Sequence, residues 1–281
     1  MQIYVINLDK KTDRWAIMTR QAKDLGLTFQ RVSAVTPDSL SAVEIANWER
    51  LNDKKRISIT EYACALSHKK VWQQASDDPT NHNALILEDD VVLSKKLPDV
   101  LSDIGSQADW EVLRLETYNK EFKVGRRKPL KTRHVGFYSL AAGDFGAAAY
   151  ILSPKTARLL AKAPTRIDVP VDTWLFDRRC SDPPPVKIFQ SAPALAVQRH
   201  RLHAIEHTID ETSSLESTRA FVHPYRNNNF MCPLPSPKIV RELSRPLFQV
   251  ESLIYQYIRT PIGEPCEYSG GAFVEFLDNI E

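Results

Sequence analysis

Glycine is scarce in this sequence: there are nine in 281 residues, and none falls in a GxGxxG or GxxxxGKS/T pattern. The two commonest backbone cradles for phosphate are therefore absent, and a bound nucleotide needs something other than a glycine loop at its phosphates. Cysteine is scarce too. Cys64, Cys180, Cys232 and Cys266 form no CxxC pair, which argues against a structural zinc ribbon and a dense disulfide framework and suits a reducing compartment. Nowhere do about 18 apolar residues run together, so no bilayer span is expected. Met1 to Leu8 enters a strand-type run without a basic n-region, a long h-region or a small-residue cleavage site, so no secretion signal is expected. Neither sign of charge prevails. Lysine plus arginine total 37 against 35 for aspartate plus glutamate, and the net charge of +2 makes no general case for a nucleic-acid partner. These absences point to a cytoplasmic protein, with membrane contact expected only at its surface.

What is present is enough apolar material for a real core, at 43 % of residues. Ile3 to Leu8 (IYVINL) is a continuous apolar run of the kind a buried parallel strand shows. Trp15, Met18, Ala22 and Leu25 then recur at helical spacing, with Gly26 where a C-terminal cap belongs. Thr28 to Val35 reads as a second strand. Thr60 is expected to cap a helix from Glu61 to about Gln74. Ala84 to Leu87 (ALIL) is another buried strand, which runs into Glu88, Asp89 and Asp90 before Val91 to Leu93 resumes. Trp110 to Leu115 is a strand ending at Glu116, and Gly146 to Leu152 (GAAAYIL) is a further one. Ser153 and Pro154 open a helix through Lys162. The basic segment Lys120 to His134 reads as a loop or mobile hairpin.

Strands alternating with helices up to about Gln198 predict an α/β domain with a mainly parallel sheet flanked by helices. Ser236 to Ile258 has apolar residues at amphipathic helical spacing, so 236–281 is expected to be a helical extension after a domain spanning 1–235.

The acidic triplet carries the chemistry. Three consecutive carboxylates at the end of an apolar strand cannot all be buried unpaired, because isolated buried charges cost several kcal/mol each. They need water or a cation, and Mg2+ or Mn2+ takes oxygen ligands of this kind. The carboxyl end of a strand is also where open α/β sheets bind ligands. Strand alternation would put Glu88 and Asp90 on one side and Asp89 on the other unless the backbone turns. Asp90 is the first choice of ligand, and a solvated acidic turn is the alternative.

The blocks YVINLDKKTDRW, ITEYACALSHKKVW, ALILEDDVVL, GAAAYILS and PVDTWLFD resemble, in order and approximate spacing, those of glycosyltransferase family 25, over about Ile3 to Gln198. That family contains lipopolysaccharide and lipooligosaccharide glycosyltransferases and collagen galactosyltransferases. The resemblance implies a GT-A fold and an inverting, metal-dependent transfer of a hexose, commonly galactose from UDP-galactose, to a glycolipid oligosaccharide acceptor. It also implies roles. Glu88, Asp89 and Asp90 match the family's DxD element, which bridges a divalent metal to the donor diphosphate. Ile6, Asn7 and Leu8 match the nucleotide wall, and Arg14 a position from which phosphate can be reached. Ser67 and His68 close a block that lies along the donor cleft, or else they pack the core. Ala63 stands where the family often has glycine.

An inverting transfer needs a base for the acceptor hydroxyl, and a carboxylate is the usual choice. Asp172 matches the family's aspartate block and leads, although simple N-capping explains the same position. Glu116 and Asp144 compete with it. His200, His203 and His207 are spaced for one helical face, which can bind a transition metal or be ordinary polar surface. His203 is the candidate to complete the donor-metal shell. Basic residues at Arg126 to Arg133 and in the tail suit an anionic membrane or a phosphorylated glycolipid. A glucosyltransferase, a non-catalytic sugar-nucleotide-binding protein and a metal phosphohydrolase are the competing readings.

Overall fold

The computed structural model describes residues 1–52, 57–105, 110–118, 121–125, 130–142, 146–163, 169–177, 183–201 and 255–259. The chain opens with β1 (Gln2–Asn7), α1 (Thr12–Leu25) and β2 (Gln30–Ser33), then α2 (Ala42–Leu51), α3 (Ile59–Ser76), β3 (Ala84–Glu88) and β4 (Val91–Leu93). There follow α4 (Leu97–Gly105), β5 (Val112–Arg114), β6 (Glu121–Gly125), β7 (Leu130–Lys131), β8 (Gly136–Ala142) and β9 (Ala149–Leu152). The last described elements are α5 (Pro154–Lys162), α6 (Val171–Phe176), β10 (Ile188–Ala192), β11 (Ala196–Gln198) and β12 (Tyr255–Arg259).

One sheet organises the fold, in the order β12-β6-β8-β10-β5-β9-β3-β1-β2, with β7 against β8; β4 and β11 form a separate pair. The expected parallel arrangement holds where the chain begins, β1 pairing in parallel with β2 and β3, and again between β10 and β5. The sheet as a whole is mixed, because β9 runs antiparallel between β3 and β5 and the β6, β8 and β12 side is antiparallel throughout. β1, β3, β5 and β10 thus point the same way, and β9 starts at the edge where they end.

Alternation along each strand divides the core between the sheet's two faces. Tyr4, Ile6, Ala84, Ile86, Tyr150 and Leu152 pack on one side with Tyr62, Ala65 and Trp72 of α3 and Leu160 of α5. Ile3, Val5, Leu85, Leu87 and Ile151 pack on the other with Met18 of α1 and Val100, Leu101 and Ile104 of α4. Burial on both faces is why these strands read as unbroken apolar runs.

Three expectations are corrected. The cap of α3 is Ser58, not Thr60: the Ser58 hydroxyl accepts from the Glu61 amide, and the Glu61 carboxylate accepts from the Ser58 amide. This reciprocal pair satisfies two otherwise orphaned donors, which a cap at Thr60 does not offer. Of the loop and the hairpin expected after Lys120, the loop is overturned for the described parts, which form β6 and β7, each antiparallel to β8. Tyr255–Arg259, read as the end of a helix, is a strand antiparallel to β6; its run of tyrosine and isoleucine suits a strand as well as a helix, and pairing with the edge of β6 decides it. The rest of the expected tail helix lies outside the described residues. The helices α2 and α4 and the strand β8 had no counterpart in the sequence reading. At the end of α1, Gly26 takes φ 63°, as a left-handed cap requires.

The Ser58 cap is buried. Replacing it with alanine is expected to lower stability by about 1 kcal/mol, read as an earlier urea midpoint with an unchanged slope.

Candidate active site

The carboxyl ends of β1, β3 and β5 meet the start of β9, and the acidic triplet lies on that edge. The backbone turns after β3 at Asp89 and Asp90, so strict strand alternation fails there. Asp89 and Asp90 share one cation: Arg14, from the first turn of α1, lies 3.0 Å from Asp89 Oδ1 and 3.7 Å from Asp90 Oδ2. The other Asp89 oxygen accepts from Asn7 Nδ2 at 2.7 Å. Glu88 has other partners, its Oε1 at 3.3 Å from His68 Nε2 and its Oε2 accepting from Gln198 Nε2 at 3.4 Å.

Asp90 is differently placed. Its Oδ1 is buried with no hydrogen-bond partner among the described residues. Burial pushes its pKa up and the neighbouring Asp89 adds to this, while Arg14, His200 and a hydrogen bond from Gln198 oppose it. Gln198 donates to Glu88, and the amide of the next residue, Arg199, donates to the Asp90 carbonyl at 2.8 Å, so the end of β11 lies against both acidic residues. A buried carboxylate oxygen without a donor, beside a second carboxylate, fits a divalent cation, whose charge would hold Asp90 ionised. Another set of potential ligands overlaps this one: atoms of Cys64, His68 and Glu88 lie within 4.8 Å of one another.

A buried polar cluster continues the edge from β5. The Arg114 guanidinium donates to the Gly146 carbonyl at 3.0 Å, the Glu116 carbonyl at 2.9 Å and Gln190 Oε1 at 2.6 Å. It also sits over the rings of Tyr118, Phe122 and Phe176. Glu116 Oε2 accepts from the Ala148 amide at 2.9 Å, while its Oε1 has no hydrogen-bond partner among the described residues. A side chain on Gly146 would run into the two Glu116 oxygens, at 2.6 and 2.7 Å, and into the Tyr118 hydroxyl. Burial pushes the Glu116 carboxyl up to about 7, against the pull of Arg114. The Arg201 guanidinium stacks 3.5 Å from the centre of the Tyr118 ring, close enough for a cation–π contact.

Asp172 belongs to the same group. It is buried in α6, its Oδ1 accepting from the Thr173 amide at 2.7 Å, and its charge is felt by His68, Arg114 and Tyr118. The structure thus gathers Glu88, Asp90, Glu116, His68 and Asp172, which the sequence scatters over 105 positions.

Other expected residues are placed elsewhere or fully engaged. Ile6 packs into the core. Asn7 has its amide spent on Lys11 O and Asp89 and its carbonyl on Arg31 Nε, all within 3.0 Å, so it braces the turn. Leu8 is half-buried just beyond it. The Ser67 hydroxyl joins α3 to the segment after β2, accepting from the Val35 amide at 2.8 Å and donating to Ala63 O at 2.9 Å. Asp144 and His203 lie outside the described residues, as do His207 and the basic residues Arg126, Arg127 and Lys128. Sequence reasoning missed Arg114, Tyr118, Tyr150, Gln190 and Arg201. Only Arg114 left a signal, as a charge inside the apolar run VLRL.

A family model described as Glycosyltransferase family 25 (LPS biosynthesis protein) matches residues 1–175. A Haemophilus influenzae protein carrying the name of a glycosyltransferase is 29% identical over 78% of this chain and 77% of its own length. The lacto-N-neotetraose biosynthesis glycosyltransferase LgtE of Neisseria meningitidis serogroup B is 28% identical over 70% of this chain and 74% of its own. Procollagen galactosyltransferase 1 of Danio rerio is 25% identical over 62% of this chain and 30% of its own.

The raised Glu116 carboxyl has a consequence for stability. Its folded value of about 7 exceeds the ordinary 4.5, so the folded state holds this proton more tightly than the unfolded chain does. That contribution is complete below pH 4.5 and is lost as pH rises through about 7. Glu116→Gln should therefore gain stability relative to the parent between pH 5 and pH 8, on the order of 3 kcal/mol, in urea titrations across that range. A pH-independent difference would show that Glu116 does not titrate there.

Proposed function

This chain belongs to glycosyltransferase family 25, and on that premise we propose that it is an inverting, metal-dependent hexosyltransferase of the GT-A type, moving galactose from UDP-galactose to a saccharide of lipopolysaccharide or lipooligosaccharide. The observation that carries the metal-dependent part is the buried Asp90 oxygen that has no hydrogen-bond partner among the described residues, at the carboxyl edge of the parallel strands where Glu88 ends β3. Galactose is supported by the relative named as a procollagen galactosyltransferase, and a glycan acceptor by the relative named for lacto-N-neotetraose biosynthesis. Among the described residues no helix is long and apolar enough to cross a membrane; peripheral contact with the cytoplasmic face of the inner membrane is the proposed route to an acceptor there.

Asp90 and Glu88 would hold Mn2+ or Mg2+. When bound, such an ion supplies positive charge to the diphosphate and to the departing UDP. Asp89 takes a different part, since both its oxygens are engaged: it ties β3 to Asn7 and to Arg14. Arg14 keeps partial exposure and adds a cation on the donor side. Asp172 takes the proton from the acceptor hydroxyl as that oxygen attacks the anomeric carbon opposite the leaving group. Glu116 is fully buried and tied to the Ala148 amide, which suits shaping the pocket against Gly146 better than meeting an acceptor.

UDP release from UDP-galactose tests the reading, with Mn2+, with Mg2+ and with a chelator, in the presence of a truncated lipooligosaccharide acceptor. Turnover is expected with the metals and none with the chelator. Asp90→Asn should weaken Mn2+ binding by about tenfold or more. Asp172→Asn should cut kcat by about 100-fold or more and leave UDP affinity intact; unchanged turnover removes Asp172 from the mechanism. Faster release from UDP-glucose would replace the donor assignment, and UDP-sugar binding without transfer would support a non-catalytic role.

A further inference from the structure

The environment of His68 specifies which of its nitrogens carries the proton. Trp72 Nε1 can only donate, and it donates to the Tyr150 hydroxyl oxygen at 2.9 Å. That hydroxyl has one proton of its own, and its other neighbour is His68 Nδ1, also at 2.9 Å. Among the described residues the Tyr150 hydroxyl has no further acceptor, so its proton goes to Nδ1, which must be bare. The remaining proton of the neutral ring is then on Nε2, 3.3 Å from Glu88 Oε1, where a carboxylate can only accept. Every donor in the chain Trp72, Tyr150, His68, Glu88 meets an acceptor in this one direction. His68, Trp72 and Tyr150 are fully buried, so bulk water does not reach these groups.

We propose that Tyr150 and His68 are positioning residues for Glu88: a one-way hydrogen-bond relay across the core holds the imidazole as its Nε2–H form, aims the Glu88 carboxylate, and withholds His68 from any metal. The opposite form would give the Tyr150 oxygen two N–H donors and leave its own proton without an acceptor. It would also turn a lone pair of His68 toward the Glu88 carboxylate. Both costs fall on the buried Tyr150 hydroxyl and His68 ring. The nearby Cys64, His68 and Glu88 atoms therefore resemble a metal-ligand set without acting as one, because the imidazole lone pair such a site needs is taken by Tyr150. Glu88 Oε2, which accepts from Gln198 at 3.4 Å, is not the oxygen bonded to the imidazole and is the one proposed to meet the cation. The relay stands on the hydrogen bonds alone; only its link to metal affinity rests on the function proposed above.

Two measurements test it on the full-length protein. In the metal-free state, a long-range proton–nitrogen correlation on 15N-histidine-labelled protein reads the two ring nitrogens of His68, identified by their loss in His68→Gln. A protonated-type Nε2 and a bare, pyridine-type Nδ1 are expected; a protonated Nδ1, or a signal averaged over both forms, overturns the relay. Mn2+ affinity then separates the roles of the ring. Glutamine can still present an N–H to Glu88 and leucine cannot, so His68→Gln should stay within about threefold of the parent and His68→Leu should weaken Mn2+ by about tenfold or more. Equal affinity for His68→Leu and the parent would make His68 a packing residue, and loss of Mn2+ binding in both variants would make it a ligand; either overturns the proposal. If the parent itself fails to bind Mn2+, the metal-dependent function falls, and the imidazole signals still decide the relay.

Discussion

Three adjacent carboxylates close a strand whose preceding four residues, Ala84 to Leu87, are wholly buried, and the site depends on how that local charge is neutralised. Desolvating even one carboxylate without a partner costs several kcal/mol. Here the backbone turns at once, and each member finds a different solution. Asp89 is engaged at both oxygens by Asn7 and Arg14, Glu88 is held between His68 and Gln198, and Asp90 retains a buried oxygen without a donor among the described residues. The arrangement brings together groups from β1, α1, α3, β3 and β11. It also makes the three residues unequal, although they are nearly the same chemically.

The same edge carries a second buried ionic group, and the two are coupled. Glu116 responds to the charge of Glu88 as well as to Arg114, and Asp172 acts on both His68 and Arg114. Arg114 is enclosed by carbonyls and aromatic faces, so its charge is supported by dipoles and ring quadrupoles as much as by its carboxylate. Gly146 fits this packing through its missing side chain: Glu116 and the Tyr118 hydroxyl occupy the space a Cβ would need. The low dielectric that makes such groups costly also strengthens their interactions, and burial at this edge raises the proton affinity of both Asp90 and Glu116.

Much of the fold was readable because its signals are local. The apolar run Ile3 to Leu8, the helical spacing from Trp15 to Leu25 with Gly26 behind it, and Ser153-Pro154 before α5 each depend on neighbours in sequence. What escaped depends on distant ones. The run GAAAYIL says strand, but nothing in it says that β9 lies antiparallel between β3 and β5. Tyr255–Arg259 carries side chains compatible with helix or strand, and the edge of β6 chooses. In the site, the triplet and Asp172 were visible as charges at the ends of elements. Tyr150 and Trp72 were not, because a buried tyrosine and tryptophan look like core residues until their polar atoms are seen to face each other and His68.

By itself the sequence determined that three carboxylates end a buried strand, that no glycine loop serves a phosphate, and that five ordered blocks match one glycosyltransferase family. Those are properties of neighbouring residues or of their order along the chain. Only the tertiary structure decided which carboxylate is tied down, which keeps an unpartnered oxygen, and which proton His68 carries. The physical reason is that hydrogen bonds and desolvation depend on what lies within a few ångströms in space, and here the deciding partners lie 20 to 110 residues away along the chain.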